Sequence, residues 1–135
     1  MNYAWINYGN EYIEFVDEQW ANEQIKSINI LSGGQDYYDS ISVCDTWDKL
    51  FQIIPNRRHQ IEYWLKNGTW EVSPIILDCN SFPIKPKGVE INGKYQLVEG
   101  HTRTGILNSL IKINMKESFN LNNTHKVWIM RNKLK

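Results

Sequence analysis

The stretch YQLVEGHTRTGILNSL, residues 95–110, predicts a strand that leads directly into a helix. Its first residues alternate between apolar and polar side chains, which is typical of a half-buried strand. From residue 104 onward the apolar residues recur at helical spacing: Ile106, Leu107, Leu110 and Ile111. Between the two lies EGHTRT, residues 99–104, where a carboxylate, a glycine, an imidazole, two hydroxyls and a guanidinium stand close together. Both the predicted fold and the predicted site depend on this junction.

The segments around the junction predict a small sheet. Residues 73–79, SPIILDC, have the apolar and β-branched character of a buried strand. Residues 89–100, VEINGKYQLVEG, contain an NG pair between alternating residues, which predicts a β-hairpin. Residues 125–130, HKVWIM, predict a last strand. We expect three strands to share one sheet, near residues 74–79, 94–99 and 126–130.

Two helices are predicted before this sheet. Residues 45–54, DTWDKLFQII, begin with capping residues and continue with helical spacing. Residues 56–68, NRRHQIEYWLKNG, follow as a second helix that ends at an NG pair. We expect residues 57–67 to pack on the sheet through Ile61, Trp64 and Leu65. The first turn of this helix contains basic residues that could hold a phosphate, although a solvated helix end is commoner: Arg57, Arg58 and His59.

The N-terminal part gives weaker signals. Residues 12–16 alternate like a short strand, and residues 17–30 predict a helix capped by Asp17. Residues 31–40, LSGGQDYYDS, predict a loop because of their paired glycines. The SGG triplet could cradle a phosphate, but its spacing matches no known phosphate loop. Together the segments predict one α+β domain over residues 1–135, with helices packed on a small mixed sheet.

Composition excludes some classes of protein. The 135 residues carry 15 basic and 15 acidic side chains, so no overall field draws the chain to nucleic acid or membrane. No apolar run is long enough to span a bilayer, and the N-terminus lacks the pattern of a secretory signal. We therefore expect a cytoplasmic protein. Cys44 and Cys79 have no metal-site spacing, and we expect both to be buried and unbridged.

The EGHTRT turn has the chemistry of an anion site. The first amides of a helix lack internal partners, and the helix dipole places partial positive charge there. Gly100 would allow close approach, and the guanidinium of Arg103 matches phosphate oxygens. Thr102 and Thr104 can donate hydroxyl hydrogens, and His101 can donate a hydrogen bond or carry a proton.

Glu99 does not fit a simple anion clamp. Its carboxylate would repel phosphate, unless a divalent cation lies between them or a substrate hydroxyl must lose its proton. The alternative is ordinary helix capping. In that case Thr102 or Thr104 caps the helix, Arg103 pairs with Glu99, and His101 is an exposed turn residue.

The segments PIILD and YQLVEGHTRTGIL resemble the core of the ParB/sulfiredoxin superfamily, in which a strand, a Gly-X-X-Arg turn and a helix bind nucleotide phosphates. Here the turn is Gly100-His101-Thr102-Arg103, and with its preceding acidic residue it is similar to the motif of the free serine kinases. The upstream RRHQIEYWLKNGTWEVSPIILD also agrees with this pattern. The resemblance covers residues 57–112, while the first 45 residues match nothing.

The resemblance implies a nucleotide site for ATP or ADP. Its implied phosphate-binding residues are Gly100, His101, Thr102, Arg103 and Thr104. Glu99 and His101 are the implied catalytic residues, and Glu99 is the implied Mg²⁺ ligand. An earlier glutamate would act as base, with four candidates: Glu11, Glu14, Glu18 and Glu23. The turn has no cysteine, which excludes sulfiredoxin chemistry, and no helix-turn-helix follows for operator-specific DNA binding.

Three functions are therefore considered. The first is a kinase-like phosphotransferase or nucleotidase that uses Mg²⁺ and a small-molecule acceptor. The second is a module that binds a nucleotide or another phosphorylated ligand without chemistry, as a regulator or an inhibitor of a partner protein. The third, a nuclease, is disfavoured by the neutral chain and the lack of a carboxylate cluster.

Overall fold

The computed structural model describes residues 13–30, 32–82 and 94–133. Within these ranges the strands are β1 (Ile13–Ala21), β2 (Ile75–Asp78), β3 (Tyr95–Glu99) and β4 (Thr124–Asn132). The α-helices are α1 (Asn22–Lys26), α2 (Ser32–Ser42), α3 (Trp47–Ile53), α4 (Arg58–Asn67) and α5 (His101–Lys116). Short 3₁₀ turns cover Pro55–Arg57 and Cys79–Ser81.

The described strands form one mixed sheet in the order β1–β4–β2–β3. β1 is antiparallel to β4, and β2 is antiparallel to β3 but parallel to β4. The prediction that the later strands share one sheet is confirmed, and so is the α+β class with a small mixed sheet. The predicted hairpin turn at residues 92–93 lies outside the described residues.

One face of the sheet carries the main core. The strands contribute Ile76, Leu97, Val127 and Ile129, and the helices cover them with side chains that include Ile61, Trp64, Leu107 and Leu110. The opposite face carries a smaller cluster: Leu77, Cys79, Phe82 and Met130. Cys44 lies in the main core and Cys79 in the smaller cluster, and no disulfide joins them, as the sequence predicted.

β1 continues to Ala21, where the sequence predicted a helix starting at Asp17. Every residue of 17–21 pairs with β4, and Trp20 is buried opposite His125. The ladder of hydrogen bonds and the burial of Trp20 outweigh a ragged helical pattern, because strand formation depends strongly on tertiary context. The predicted helix over residues 17–30 is therefore wrong except for the short α1.

α2 replaces the loop that the paired glycines predicted over residues 31–40. Glycine weakens an isolated helix, but here packing against α5 compensates. Tyr38 and Ile41 are buried, and Gly34 lies so close to α5 that an added Cβ would be 2.8 Å from the ring of His101. The glycine therefore permits a helix–helix contact, and the loop prediction is wrong from Ser32 onward.

α4 packs on the core through Ile61 and Trp64, as predicted. Leu65, the third predicted contact, is 46% exposed, so that part of the prediction is wrong. The helix ends where the NG pair predicted, because Gly68 adopts a left-handed φ of 74° that side-chain-bearing residues avoid.

α2 and α5 pack side by side and run in the same direction. Gly34 contacts His101 at their starts, Gly105 approaches Ile41 in the middle, and Lys112 donates to the carbonyl of Ser42 at the end of α2. Both helices therefore begin at the same end of the pair. None of the helices in the described part of the chain has the length and apolar character that a membrane crossing requires.

Candidate functional site

The β3–α5 junction is tighter than the sequence predicted. β3 ends at Glu99 and α5 begins at His101, so Gly100 alone separates strand from helix. The sequence placed the helix start at residue 104, and this boundary is wrong by one turn. His101, Thr102 and Arg103 consequently lie in the first helical turn, where backbone N–H groups have no partner inside the helix.

Gly100 is required by the backbone and by a neighbour. Its φ is 110°, and a Cβ at this position would lie 2.6 Å from Cβ of Pro74 and 3.2 Å from Nη2 of Arg103. The group that comes close to Gly100 in this structure is thus Pro74, just before β2.

Arg103 holds its guanidinium beside the helix start. Its Nη2 donates to Oε1 of Glu99 at 3.1 Å, which is the pair that the capping alternative predicted. The Arg103 side chain is only 16% exposed, whereas that of Glu99 is 47% exposed. The Nε of Arg103 is buried and has no hydrogen-bond partner among the described residues. Arg103 is therefore a fixed cation with an unused donor, and Glu99 is its movable partner.

Neither threonine caps the helix. Thr104 is buried, and its hydroxyl is within hydrogen-bond distance of the carbonyl oxygens of Gly100 and His101, at 2.9 and 3.2 Å. Thr102 donates to the phenol oxygen of Tyr37 in α2 at 3.2 Å. Of the two predicted phosphate-binding hydroxyls, that of Thr102 lies near the helix start, whereas that of Thr104 is buried against the backbone of its own helical turn.

His101 and Arg103 point to different sides of α5, since two residues span roughly 200° of a helix. The His101 ring packs against Gly34 of α2, and its Nε2 has no hydrogen-bond partner in the described part of the chain. Burial lowers the pKa of His101, so the ring is neutral at pH 7. The structure therefore separates the two predicted catalytic residues: Glu99 contacts Arg103, while His101 faces α2.

A small cavity lies on the α4 side of Arg103. It has a volume of about 40 Å³, and its wall is formed by Gln60, Trp64, Trp70, Glu71, Val72 and Arg103. The Oε1 atom of Gln60 is buried and finds no donor among the described residues. Sequence reasoning missed Gln60, because a glutamine on a helix surface gives no signal of its own.

The structure describes three of the four candidate bases, and they lie on β1 and α1. Glu14 pairs with Arg131 at 2.8 Å, Glu18 accepts from the indole of Trp20, and Glu23 lies in α1. Glu11 falls outside the described residues. The described part of the chain contains no group of three or more His, Cys, Asp or Glu residues that could hold a metal ion.

The basic cluster at the start of α4 behaves as a helix end. The guanidinium of Arg58 stacks on the Phe51 ring at 4.5 Å, and His59 lies 3.9 Å from Glu71 with its side chain 85% exposed. The phosphate alternative for this cluster has no support from these contacts.

His125 is a buried polar residue that sequence reasoning missed. Its ring nitrogens lie 2.7 Å from Oγ1 of Thr69 and 2.9 Å from Oδ1 of Asn22, and the rings of Trp64 and Trp70 pack around it. Burial lowers the pKa of His125 to about 4. Trp70 also donates to the carbonyl of Lys126 at 2.7 Å. These contacts fix residues 69–70, and with them the wall of the Arg103 cavity, to β4.

Comparison with protein-family models, with curated proteins and with solved structures gave no match to this chain.

Proposed function

We propose that this chain binds a phosphorylated small molecule, a nucleotide such as ATP or ADP, at the start of α5. The observation that carries the proposal is Arg103: a largely buried guanidinium at the start of α5, where the first backbone amides have no acceptor within the helix. Such a cation is ready for an anionic ligand with several oxygens.

The neighbouring helix strengthens this proposal. α2 begins beside α5, so two helix starts with partial positive charge lie together. The SGG triplet of the sequence falls in the first turn of α2, close to His101, and not in an isolated loop. Each helix dipole favours a nearby anion by about 0.3–1 kcal/mol, and a charged hydrogen bond from Arg103 adds about 1.5–3 kcal/mol.

Glu99 occupies Arg103 in this structure, and the ligand phosphate would take its place. The exchange is favourable because an exposed ion pair contributes little to stability, whereas a phosphate accepts from the guanidinium and from the helix amides together. Glu99 would then lie next to the bound phosphate.

This position of Glu99 supports a second candidate function, phosphoryl transfer or hydrolysis. One carboxylate is not a metal site, but Mg²⁺ commonly binds through one or two carboxylates together with the substrate's phosphates. Glu99 is the residue that would hold such an ion, which would neutralise phosphate charge. The direction of the His101 ring gives catalysis less support than binding, and the ParB/sulfiredoxin-like identity remains a prediction.

Calorimetry with inorganic pyrophosphate, ADP and ATP, each with and without Mg²⁺, tests the proposal. Wild type should bind at least one of them, and Arg103→Ala should weaken that binding by about 1.5–3 kcal/mol. Arg131→Ala, which removes an arginine from a distant ion pair with Glu14, serves as the matched control and should bind like wild type. Equal affinity of wild type and Arg103→Ala would contradict the proposal.

A further inference from the structure

Tyr37 is an exposed aromatic residue of α2 that reaches the first turn of α5. It is 47% exposed, and its phenol oxygen lies 3.2 Å from Oγ1 of Thr102, the residue directly before Arg103. The backbone of a helical residue is largely covered by its own helix, so an exposure of this size includes the aromatic ring. An open ring therefore lies beside the place where the phosphate is proposed to bind.

The contact between Tyr37 and Thr102 leaves one donor for a ligand. Two hydroxyls carry two hydrogens, and the bond between them uses one. This bond lies at the protein surface, and neither hydroxyl has another hydrogen-bond partner in the described part of the chain. A phosphate oxygen only accepts, so it can take the remaining hydrogen. Tyr37 therefore belongs to the same end of α5 as Arg103, although it comes from another helix.

The cavity beside Arg103 is too small to hold a nucleobase. Its volume is about 40 Å³, whereas a typical ligand pocket has about 300 Å³ or more. A nucleotide whose phosphate binds at the start of α5 therefore leaves its base outside this cavity, at the protein surface. The exposed ring of Tyr37 offers the base an aromatic face on which to stack.

We propose that the ring of Tyr37 stacks on the base of the nucleotide whose phosphate binds at the start of α5. The inference rests on the proposed function and names the ligand class more closely: a nucleotide that is held by its phosphates and by the face of its base. Stacking tolerates different bases because every base has a π-face, whereas selection among bases requires hydrogen bonds to their edges. The site should therefore accept adenine and guanine nucleotides alike.

The test compares ADP with ribose 5-diphosphate, which keeps the sugar and both phosphates but lacks the base. By calorimetry on the full chain, wild type should bind ADP about 5- to 10-fold more tightly, the lower part of the range for base–aromatic stacking, because Tyr37 is half exposed. GDP should bind within about 3-fold of ADP, since stacking does not read the edge of the base.

Three variants assign the effect to the ring. Tyr37→Leu should remove the advantage of ADP over ribose 5-diphosphate, whereas Tyr37→Phe keeps the ring and should retain this advantage. Phe15→Leu is the matched control: it removes a residue that is 53% exposed on β1, which β4 and β2 separate from β3 in the sheet. This control should also retain the advantage of ADP.

A purely structural role of Tyr37 would give a different result. If the residue only joined α2 to α5, Tyr37→Phe and Tyr37→Leu would both lose the Thr102 contact and would weaken ADP and ribose 5-diphosphate by the same factor. That result, or equal binding of the two ligands by wild type, would overturn the inference while pyrophosphate binding through Arg103 still stands.

Two further outcomes count against the inference. A preference of more than about 10-fold for ADP over GDP, the effect of one or more hydrogen bonds to the base edge, would overturn the tolerance for different bases. If no phosphate compound binds, the proposed function and this inference fail together.

Discussion

Glu99 and Arg103 face each other across the start of α5, with 3.1 Å between the carboxylate oxygen and the guanidinium nitrogen. Arg103 is held by its burial, whereas Glu99 is half exposed and can turn away. This pair occupies the place where an anionic ligand would bind, so the carboxylate competes with that ligand for the same donor.

Replacing Glu99 by Gln separates a binding module from an enzyme. If the site only binds phosphate, removal of the competing charge should leave affinity unchanged or increase it by about 0.2–1 kcal/mol, the range of an exposed ion pair. If the site performs phosphoryl transfer, turnover should fall by about two orders of magnitude or more while binding persists. Calorimetry and phosphate release from ATP and ADP, with serine among the acceptors, measure the two effects.

The outcomes of this substitution are distinct. Wild type that binds nucleotide without turnover for any donor or acceptor supports the binding module. Turnover by Glu99→Gln at the wild-type rate would show that Glu99 has no catalytic role even in an active enzyme.

Gly100→Ala should destabilise the protein without any ligand. The positive φ costs a side-chain-bearing residue about 1–3 kcal/mol, and the new Cβ meets Pro74 at 2.6 Å. Urea unfolding of the ligand-free protein measures the loss, and Glu62→Ala on the exposed side of α4 should change stability by at most about 0.5 kcal/mol. Unchanged stability with lost ligand binding would instead assign Gly100 to ligand approach.

Gly105→Ala should loosen the α2–α5 pair. Alanine favours a helix by about 0.8–1 kcal/mol over glycine, but its Cβ would lie 3.1 Å from Cβ of Ile41, and overpacking costs about 1–3 kcal/mol. We expect a net loss of stability in chemical denaturation. The cost of Ile41→Ala should be smaller in the Gly105→Ala background, and additivity of the two changes would contradict direct contact.

His125 should make the fold sensitive to acid between about pH 6.5 and 4. Its folded pKa of about 4 lies below the ordinary 6.5, so the unfolded chain binds the proton more readily in this range. The contribution of His125 to the free energy of unfolding is therefore fully present above pH 6.5. It is lost as the pH falls towards 4, by about 3 kcal/mol for this difference in pKa.

Urea unfolding at several pH values checks this sign and size. His125→Gln cannot titrate, so its stability should depend less on pH than that of wild type. Gln52→Ala, a change at an exposed position on α3 that adds and removes no titratable group, is the control and should keep the wild-type slope. Equal slopes for wild type and His125→Gln would show that His125 is not the titrating group.

Local sequence by itself determined the segments whose signals are strong and short-ranged. α3 begins after Thr46, whose side chain accepts from the amide of Lys49, and α4 ends at Gly68. β2, β3 and β4 follow the predicted strands, and the polar turn stands between a strand and a helix as predicted. Capping groups, left-handed glycines and apolar periodicity act over a few residues, so they can be recognised in the sequence without knowledge of the fold.

Tertiary structure alone decided the elements whose local preference is weak or contrary. Residues 17–21 became strand because β4 offers partners for them, and α2 formed despite its glycines because α5 packs against it. The same packing turned His101 towards α2, and α4 brought Gln60 to the far side of Arg103. The sequence identifies the polar groups of the turn. Which of these groups lie together is decided by contacts between residues that are distant in the chain, because burial and pairing depend on neighbours that no local pattern contains.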